Sequence, residues 1–259
     1  MAALEGLGVL VTRPEPQAGP LARRLAAEGA RVYRLPAIEL LPREDRARQR
    51  AALGPIDRFH WIVFVSANAV RFGVALLEGR RDLKLAAVGP ATAAALNHAG
   101  FRVALVPQGG YDSEHLLASP ELRNVRGLRV LIVRGDGGRE LLAGELAARG
   151  AEIAYAEVYE RRCARPVPGA VAAVEAEWAG GAIDVVTATS VELLRCLYEM
   201  LSPAGRALLD RTALLAGGPR IGAVARQIGI AGPLIVAARP DDDGLMDALL
   251  KWRRHTNGS

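Results

Sequence analysis

Cysteine, histidine and aromatic residues are all scarce in this chain, and each scarcity excludes something. Two cysteines, Cys163 and Cys196, are too few for a disulfide framework, and neither lies in a C-x-x-C pair. Both are therefore expected as free thiols. The four histidines, His60, His98, His115 and His255, lack the i, i+4 or clustered Cys/His spacing of a zinc site, so no metal is expected. Aromatic residues make up 5% of the chain, and no basic run is interleaved with them, which argues against nucleic acid as a partner. No apolar run approaches the ~20 residues of a membrane span. The N-terminus also lacks a basic region followed by an apolar stretch and a cleavage site, so the expected location is the cytoplasm. Neither G-x-G-x-x-G nor G-x-x-x-x-G-K-[ST] occurs, and Gly135-Asp136-Gly137-Gly138 reads as a turn rather than a nucleotide site.

What the chain does have is an internal duplication. Val9-Leu10-Val11-Thr12-Arg13 opens a segment running through Leu21, Leu25, Gly29 and Val32. Val130-Leu131-Ile132-Val133-Arg134 opens another through Leu142, Leu146, Gly150 and Ile153, every pair 121 positions apart, as Val9 and Val130 are. A second block repeats at a slightly different offset: Ile62–Ser66 matches Val186–Ser190, and Gly89-Pro90 matches Gly218-Pro219. Naming the blocks A and B gives the order A1, B1, A2, B2.

Short apolar runs alternate with helical patterns throughout. Val9–Val11 and Val130–Val133 read as buried strands, and Gln17–Glu28 carries Leu21, Ala22, Leu25 and Ala26 on one helical face. The tail His255–Ser259 is expected to be disordered. Each B block adds three strands, the last near Val103–Val106 or Leu234–Val236, with helices between them. This is an α/β pattern with two similar doubly wound parallel-sheet domains and a ligand cleft expected between them. The connection from B1 to A2 is short, whereas A1–B1 and A2–B2 are joined by the long polar segments Pro36–Phe59 and Glu160–Ile183. Short connections stay within a domain. The expected domains are therefore a discontinuous one, 1–37 with 164–259, and a continuous one, 42–158, joined by the two connections 38–41 and 159–163. Pairing A1 with B1 and A2 with B2 remains the alternative.

In such sheets ligands collect beyond the C-terminal strand ends, where helix N-termini present free N–H groups. The repeat puts Thr12, Arg13, Ser66, Gly89-Pro90, Arg134, Gly135, Ser190 and Gly218-Pro219 there. Arg13, Arg134 and Arg220 would add charge-assisted bonds to carboxylates. A formal charge of +5 agrees with a small polyanionic partner. Ser66 and Ser190 read equally well as N-caps. Asp241-Asp242-Asp243 precedes a helical pattern and suits a helix N-terminus rather than a metal. Tyr159, where the chain leaves the continuous domain, is either a phenolic proton donor or a packed hinge aromatic.

In order and spacing, these segments resemble the uroporphyrinogen-III synthase family. The resemblance rests on Val9–Pro14, Phe64-Val65-Ser66-Ala67-Asn68-Ala69-Val70, Ala87-Val88-Gly89-Pro90-Ala91-Thr92-Ala93, Val130–Ile132 with Arg134-Gly135, and Val158-Tyr159. It implies two α/β lobes joined by a two-stranded hinge, and an enzyme of tetrapyrrole biosynthesis. Its substrate would be hydroxymethylbilane, a linear tetrapyrrole with eight carboxylates. Loss of water, inversion of ring D and ring closure through an azafulvene and a spiro intermediate would give uroporphyrinogen III, with no cofactor. The resemblance also implies that Tyr159 assists departure of the hydroxyl, and that Ser66, Ala67, Asn68, Thr92 and Ser190 contact substrate. One departure is that Arg220-Ile221 follows Gly218-Pro219, where many members have threonines, so Arg220 is the candidate carboxylate ligand there. A monomer is expected, without nucleic acid or membrane. A non-catalytic two-lobed anion-binding or regulatory protein of the same fold is the alternative.

Overall fold

The computed structural model describes residues 2–138 and 140–257. In chain order the elements begin with β1 (Gly8–Val11), α1 (Glu15–Ala27), β2 (Arg31–Arg34), β3 (Ile38–Pro42), α2 (Arg46–Leu53), β4 (Trp61–Phe64), α3 (Ala67–Gly73), β5 (Leu85–Ala87) and α4 (Pro90–His98). They continue with α5 (Ser113–Ala118), β6 (Arg129–Gly135), α6 (Leu141–Ala148), β7 (Glu152–Cys163), α7 (Ala170–Ala179), β8 (Val185–Ala188) and α8 (Val191–Met200). The last are α9 (Pro203–Arg211), β9 (Ala213–Ala216), α10 (Pro219–Gln227), β10 (Leu234–Val236) and α11 (Asp242–Asn257).

Two compact units result: unit 1 is Met1–Glu39 with Arg162–Ser259, and unit 2 is Leu40–Arg161. The boundaries fall inside β3 and β7, which lie side by side at one edge of the second sheet. Ala164 N donates to Ala37 O and Arg43 N to Val158 O, so one strand's numbers rise as the other's fall and the pair is antiparallel.

Unit 1 holds a five-stranded sheet ordered β10-β9-β8-β1-β2, every neighbouring pair parallel. Unit 2 holds β3-β7-β6-β4-β5, with β7, β6, β4 and β5 mutually parallel. The two share a plan. In unit 1, β1 leads outward to β2 while β8 leads the other way to β9. In unit 2, β6 leads to β7 and β4 to β5. Each sheet therefore has one place where its crossovers diverge, between β1 and β8 and between β4 and β6. The central strands are buried on both faces, as parallel strands covered by helices must be: Val9, Leu10 and Val11 are fully buried, as are Val130, Leu131 and Val133.

Four expectations from sequence are corrected. First, Cys163 and Cys196 are joined in a disulfide, with 2.05 Å between the sulfurs and 5.1 Å between the Cα atoms. Strand β7 runs on to Cys163 and brings its end against α8, a juxtaposition that cysteine spacing does not encode. Second, the long polar segments Pro36–Phe59 and Glu160–Ile183, to which the sequence reading assigns no element, hold structure of their own: β3 and α2 in the first and α7 in the second. Third, Val103–Val106 forms a single bridge, Leu105 to Ala86, rather than a strand. In unit 1, Ala237 N extends the equivalent pairing by donating to Ala216 O. Pro107, at the matching position, has no N–H to give. Fourth, the tail from His255, read as disordered, is helical through Asn257, and residues 258–259 lie outside the described residues.

Candidate functional site at the strand ends

The two serines that close β4 and β8 are N-caps. Ser66 Oγ accepts from Ala69 N at 3.1 Å and Ser190 Oγ from Leu193 N at 3.0 Å. Both are half-buried, so each caps its helix while remaining at the surface. Ala67 is exposed and Asn68 half-buried at the open end of α3, where first-turn amides lack an intrahelical acceptor. Thr92, in the first turn of α4, is 4% exposed. Arg220, in the first turn of α10, is exposed and has no partner among the described residues. It is the strand-end arginine with a free guanidinium.

The structure engages Thr12, Arg13 and Arg134 in bonds within the protein, while Arg13 Nε and Arg134 Nε are buried without a partner among the described residues. Thr12 is fully buried; its N–H donates to Thr187 Oγ1 at 3.3 Å and its hydroxyl to Thr187 O. These bonds tie β1 to β8 where the crossovers diverge. Arg13 donates to the carboxylate of Asp242 and to Pro240 O, fastening the start of α11 to the end of β1. The acidic run at Asp241–Asp243 thus supplies a partner for a buried arginine as well as charge at a helix N-terminus.

Arg134 occupies the repeat-equivalent place in unit 2 and is bound in the same manner. It donates to Glu140 Oε1 at 2.9 Å, Glu157 Oε1 at 3.0 Å and Gly138 O at 3.2 Å, and its Cζ lies 3.9 Å from the centre of the Tyr155 ring. Burial pulls its pKa down, but the hydrogen bonds to Glu140 and Glu157 outweigh burial and hold it above the ordinary value. Tyr155 donates its hydroxyl to Glu140. That bond, then Arg134, holds the Glu140 carboxyl below its ordinary range, while burial and then Glu140 push the Tyr155 phenol up. Sequence reading missed Glu140, Glu157 and Tyr155 as partners of Arg134. The i, i+6 spacing of Glu140 and the β7 neighbour Glu157 carry no motif. A cavity of about 190 Å³ lined by Val65, Ser113, Ile132, Arg134, Gly138 and Leu142 opens beside this network, at the divergence of β4 and β6.

Tyr159 owes its position to an irregularity. Arg134 pairs with Glu157 but Gly135 pairs with Tyr159, so Val158 is an extra residue and the register shifts. Strict alternation would turn Val158 and Tyr159 to opposite faces; the bulge sends both into one apolar cluster with Ala156. The Tyr159 ring is stacked on Phe72, 5.3 Å between centroids, and the residue is 6% exposed. Its hydroxyl has no hydrogen-bond partner among the described residues. Phe72 and Val158 also line an apolar cavity of about 320 Å³.

Among the described residues no group of three His, Cys, Asp or Glu is arranged to hold a metal, and no helix is long and apolar enough to cross a membrane.

Residues 19–247 match the family profile described as uroporphyrinogen-III synthase HemD. The chain is 36% identical over 252 residues to the uroporphyrinogen-III synthase of Escherichia coli (strain K12), covering 94% of this chain and 100% of that one. It is 35% identical to the Salmonella typhimurium enzyme, with 94% and 100% covered. Among solved structures, uroporphyrinogen-III synthetase from Helicobacter pylori 26695 superposes with a TM-score of 0.60 at 15% identity, over 95% of this chain and 99% of that one. A mutant uroporphyrinogen III synthase from the extremely thermophilic bacterium Thermus thermophilus gives 0.55 at 20%, over 98% and 100%. The structures show a shared fold, and the sequence matches span almost the whole chain. The protein therefore belongs to the uroporphyrinogen-III synthase family.

Proposed function

We propose that this chain is a cofactor-free lyase acting as a cytoplasmic monomer, which closes hydroxymethylbilane to uroporphyrinogen III with loss of water and inversion of ring D. The full-length match to the family carries the reading. The substrate has eight carboxylates and no reactive group that needs a metal to ionise it. Its recognition falls to amide N–H groups at helix starts and to free cations at strand ends. Ser66, Ala67 and Asn68 at the start of α3, Thr92 on α4, Gly135, Ser190 at the start of α8 and Arg220 on α10 are the residues assigned to that task. Arg220 is exposed and unpaired, which supports its part. Thr12, Arg13 and Arg134 hold these strand ends in place.

The chemical step begins when the C–O bond of the terminal hydroxymethyl group breaks and the departing oxygen takes a proton. Tyr159 is assigned as the donor of a hydrogen bond to that oxygen. Its ring is fixed by Phe72 and its hydroxyl has no protein partner, so the donor needs no bond broken before it acts. Since an unguided bilane closes readily to the wrong isomer, holding the chain folded matters more than acid strength.

The test generates hydroxymethylbilane in situ, adds the protein, oxidises the products and separates the uroporphyrin isomers by chromatography. Predominantly isomer III is expected. Isomer I at the level of a protein-free control overturns the catalytic reading and leaves an anion-binding or regulatory protein of the same fold.

A further inference from the structure

The Cys163–Cys196 bond has no place in the reaction above, and several features of its surroundings concern its chemistry. Cys163 is exposed, the last residue of β7, and lies among the exposed residues Arg161 and Arg162 and close to Arg165. Cys196 is 4% exposed on α8, packed among the core residues of unit 1. Cations beside an exposed disulfide sulfur attract anionic thiols, whereas its buried partner is shielded from them. Disulfides in a reducing compartment are as a rule transient and redox-sensing.

We propose that Cys163 and Cys196 form a reversible thiol–disulfide modification site, opened at Cys163 by a low-molecular-weight anionic thiol of the glutathione class and closed again by its disulfide. The external thiolate attacks the Cys163 sulfur. The protein S–S bond breaks, and its electron pair leaves on Cys196, which takes a proton. A second thiolate attacks the mixed disulfide and frees Cys163, which takes another proton. Two external thiols have then become one external disulfide, and the reverse sequence resets the site.

Tyr159 lies four residues upstream of Cys163 in the same strand, and the boundary between the units falls between them. In the closed form the end of β7 is tied covalently to α8. In the open form it is held by the Arg162–Glu39 ion pair at 2.7 Å and by Ala164 N donating to Ala37 O at 2.9 Å. These contacts keep the reduced protein folded while the strand end gains freedom, and turnover falls as the anchoring of Tyr159 loosens. The turnover component rests on the synthase reading, and the redox-sensing role on the cytoplasmic location proposed with it; the accessibility of Cys163 rests on neither.

The experiment equilibrates the full chain in glutathione buffers spanning reducing to oxidising, traps thiols by alkylation, counts adducts by mass, and records melting and turnover on each sample. No adducts are expected on the oxidised protein and two on the reduced one. Reduction should leave the circular dichroism intact, lower the melting temperature of unit 1 by about 5–10 °C, and reduce turnover in a way that glutathione disulfide restores. Cys163→Ser should melt like the reduced protein and ignore the buffer. Two adducts that persist in oxidising buffer overturn the proposal, as does a bond that reductant does not open in the folded protein. So does a Cys163→Ser variant that still responds. A protein with no synthase activity but the expected adducts and melting shift sinks the synthase reading alone. Identical turnover in both states of an active enzyme sinks the link to Tyr159.

Discussion

Gly135 lies beneath the ring of Tyr159: the two are partners across β6 and β7, and a Cβ on Gly135 would stand 2.5 Å from Tyr159 Cζ. No heavy atom is tolerated at that distance, so the absence of a side chain at 135 is what lets the tyrosine ring settle against the sheet. Gly135→Ala should therefore push the ring off Phe72 and cost about 1–3 kcal/mol in unit 2 by overpacking. Thermal melting checks the stability, and loss of isomer III at unchanged substrate level checks whether ring position governs the reaction.

The hydroxyl of Tyr159 makes no bond to the protein, so deleting it has little to break. Tyr159→Phe should melt within about 2 °C of the parent, by the scaling of melting shifts with stability, while turnover falls. Melting and isomer assays on one preparation separate the two effects. Unchanged turnover would leave Tyr159 as a packing residue only.

The arginines divide into two kinds. Arg13, 6% exposed and paired with Asp242, is a structural fastening, and Arg13→Ala should destabilise unit 1 by about 3 kcal/mol because it leaves a carboxylate without its partner. Arg220→Ala breaks no contact and should leave melting unchanged while raising the KM for hydroxymethylbilane. Steady-state kinetics beside melting curves for both variants test this split, and the reverse pattern would exchange their roles.

The Glu140–Tyr155 bond should make stability depend on pH at both ends of the range. Glu140 has its folded pKa lowered, so its contribution is present above the unfolded carboxylate value of about 4.3 and is lost as pH falls through the folded value. Tyr155 has its folded pKa raised, so its contribution is present below about 10 and is lost as pH rises through the folded value. Melting across pH for Glu140→Gln should show both limbs flattened relative to the parent. Limbs that persist unaltered would place the dependence elsewhere.

Much of this fold was legible in the sequence because periodicity reports burial directly. Val9–Val11 and Val130–Val133 are apolar on both faces, and the 121-residue repeat carries the strand, helix, strand unit twice. The irregular parts were less legible. Helix α2 hides in a polar stretch, the Ala-rich α7 buries little besides Trp178, and Pro107 ends a strand that its apolar neighbours advertise. At the site, strand-end positions were readable but side-chain commitments were not. Nothing at Arg13 announces Asp242, 229 residues away, and nothing at Tyr159 announces the register shift that buries it beside Val158.

The placement of β1 bears on how the molecule is made. It sits inside its sheet, between β2 and β8, and β8 begins at Val185. On the ribosome the first segment emerges early, yet its hydrogen-bonding edge stays unclaimed until nearly three-quarters of the chain has been synthesised. Unit 2, drawn from one uninterrupted stretch, has all its strands by then. Domains fold as units during synthesis, so unit 2 forms while the N-terminal strand waits, and that waiting edge is where a nascent chain of this kind is most open to mispairing or to a chaperone.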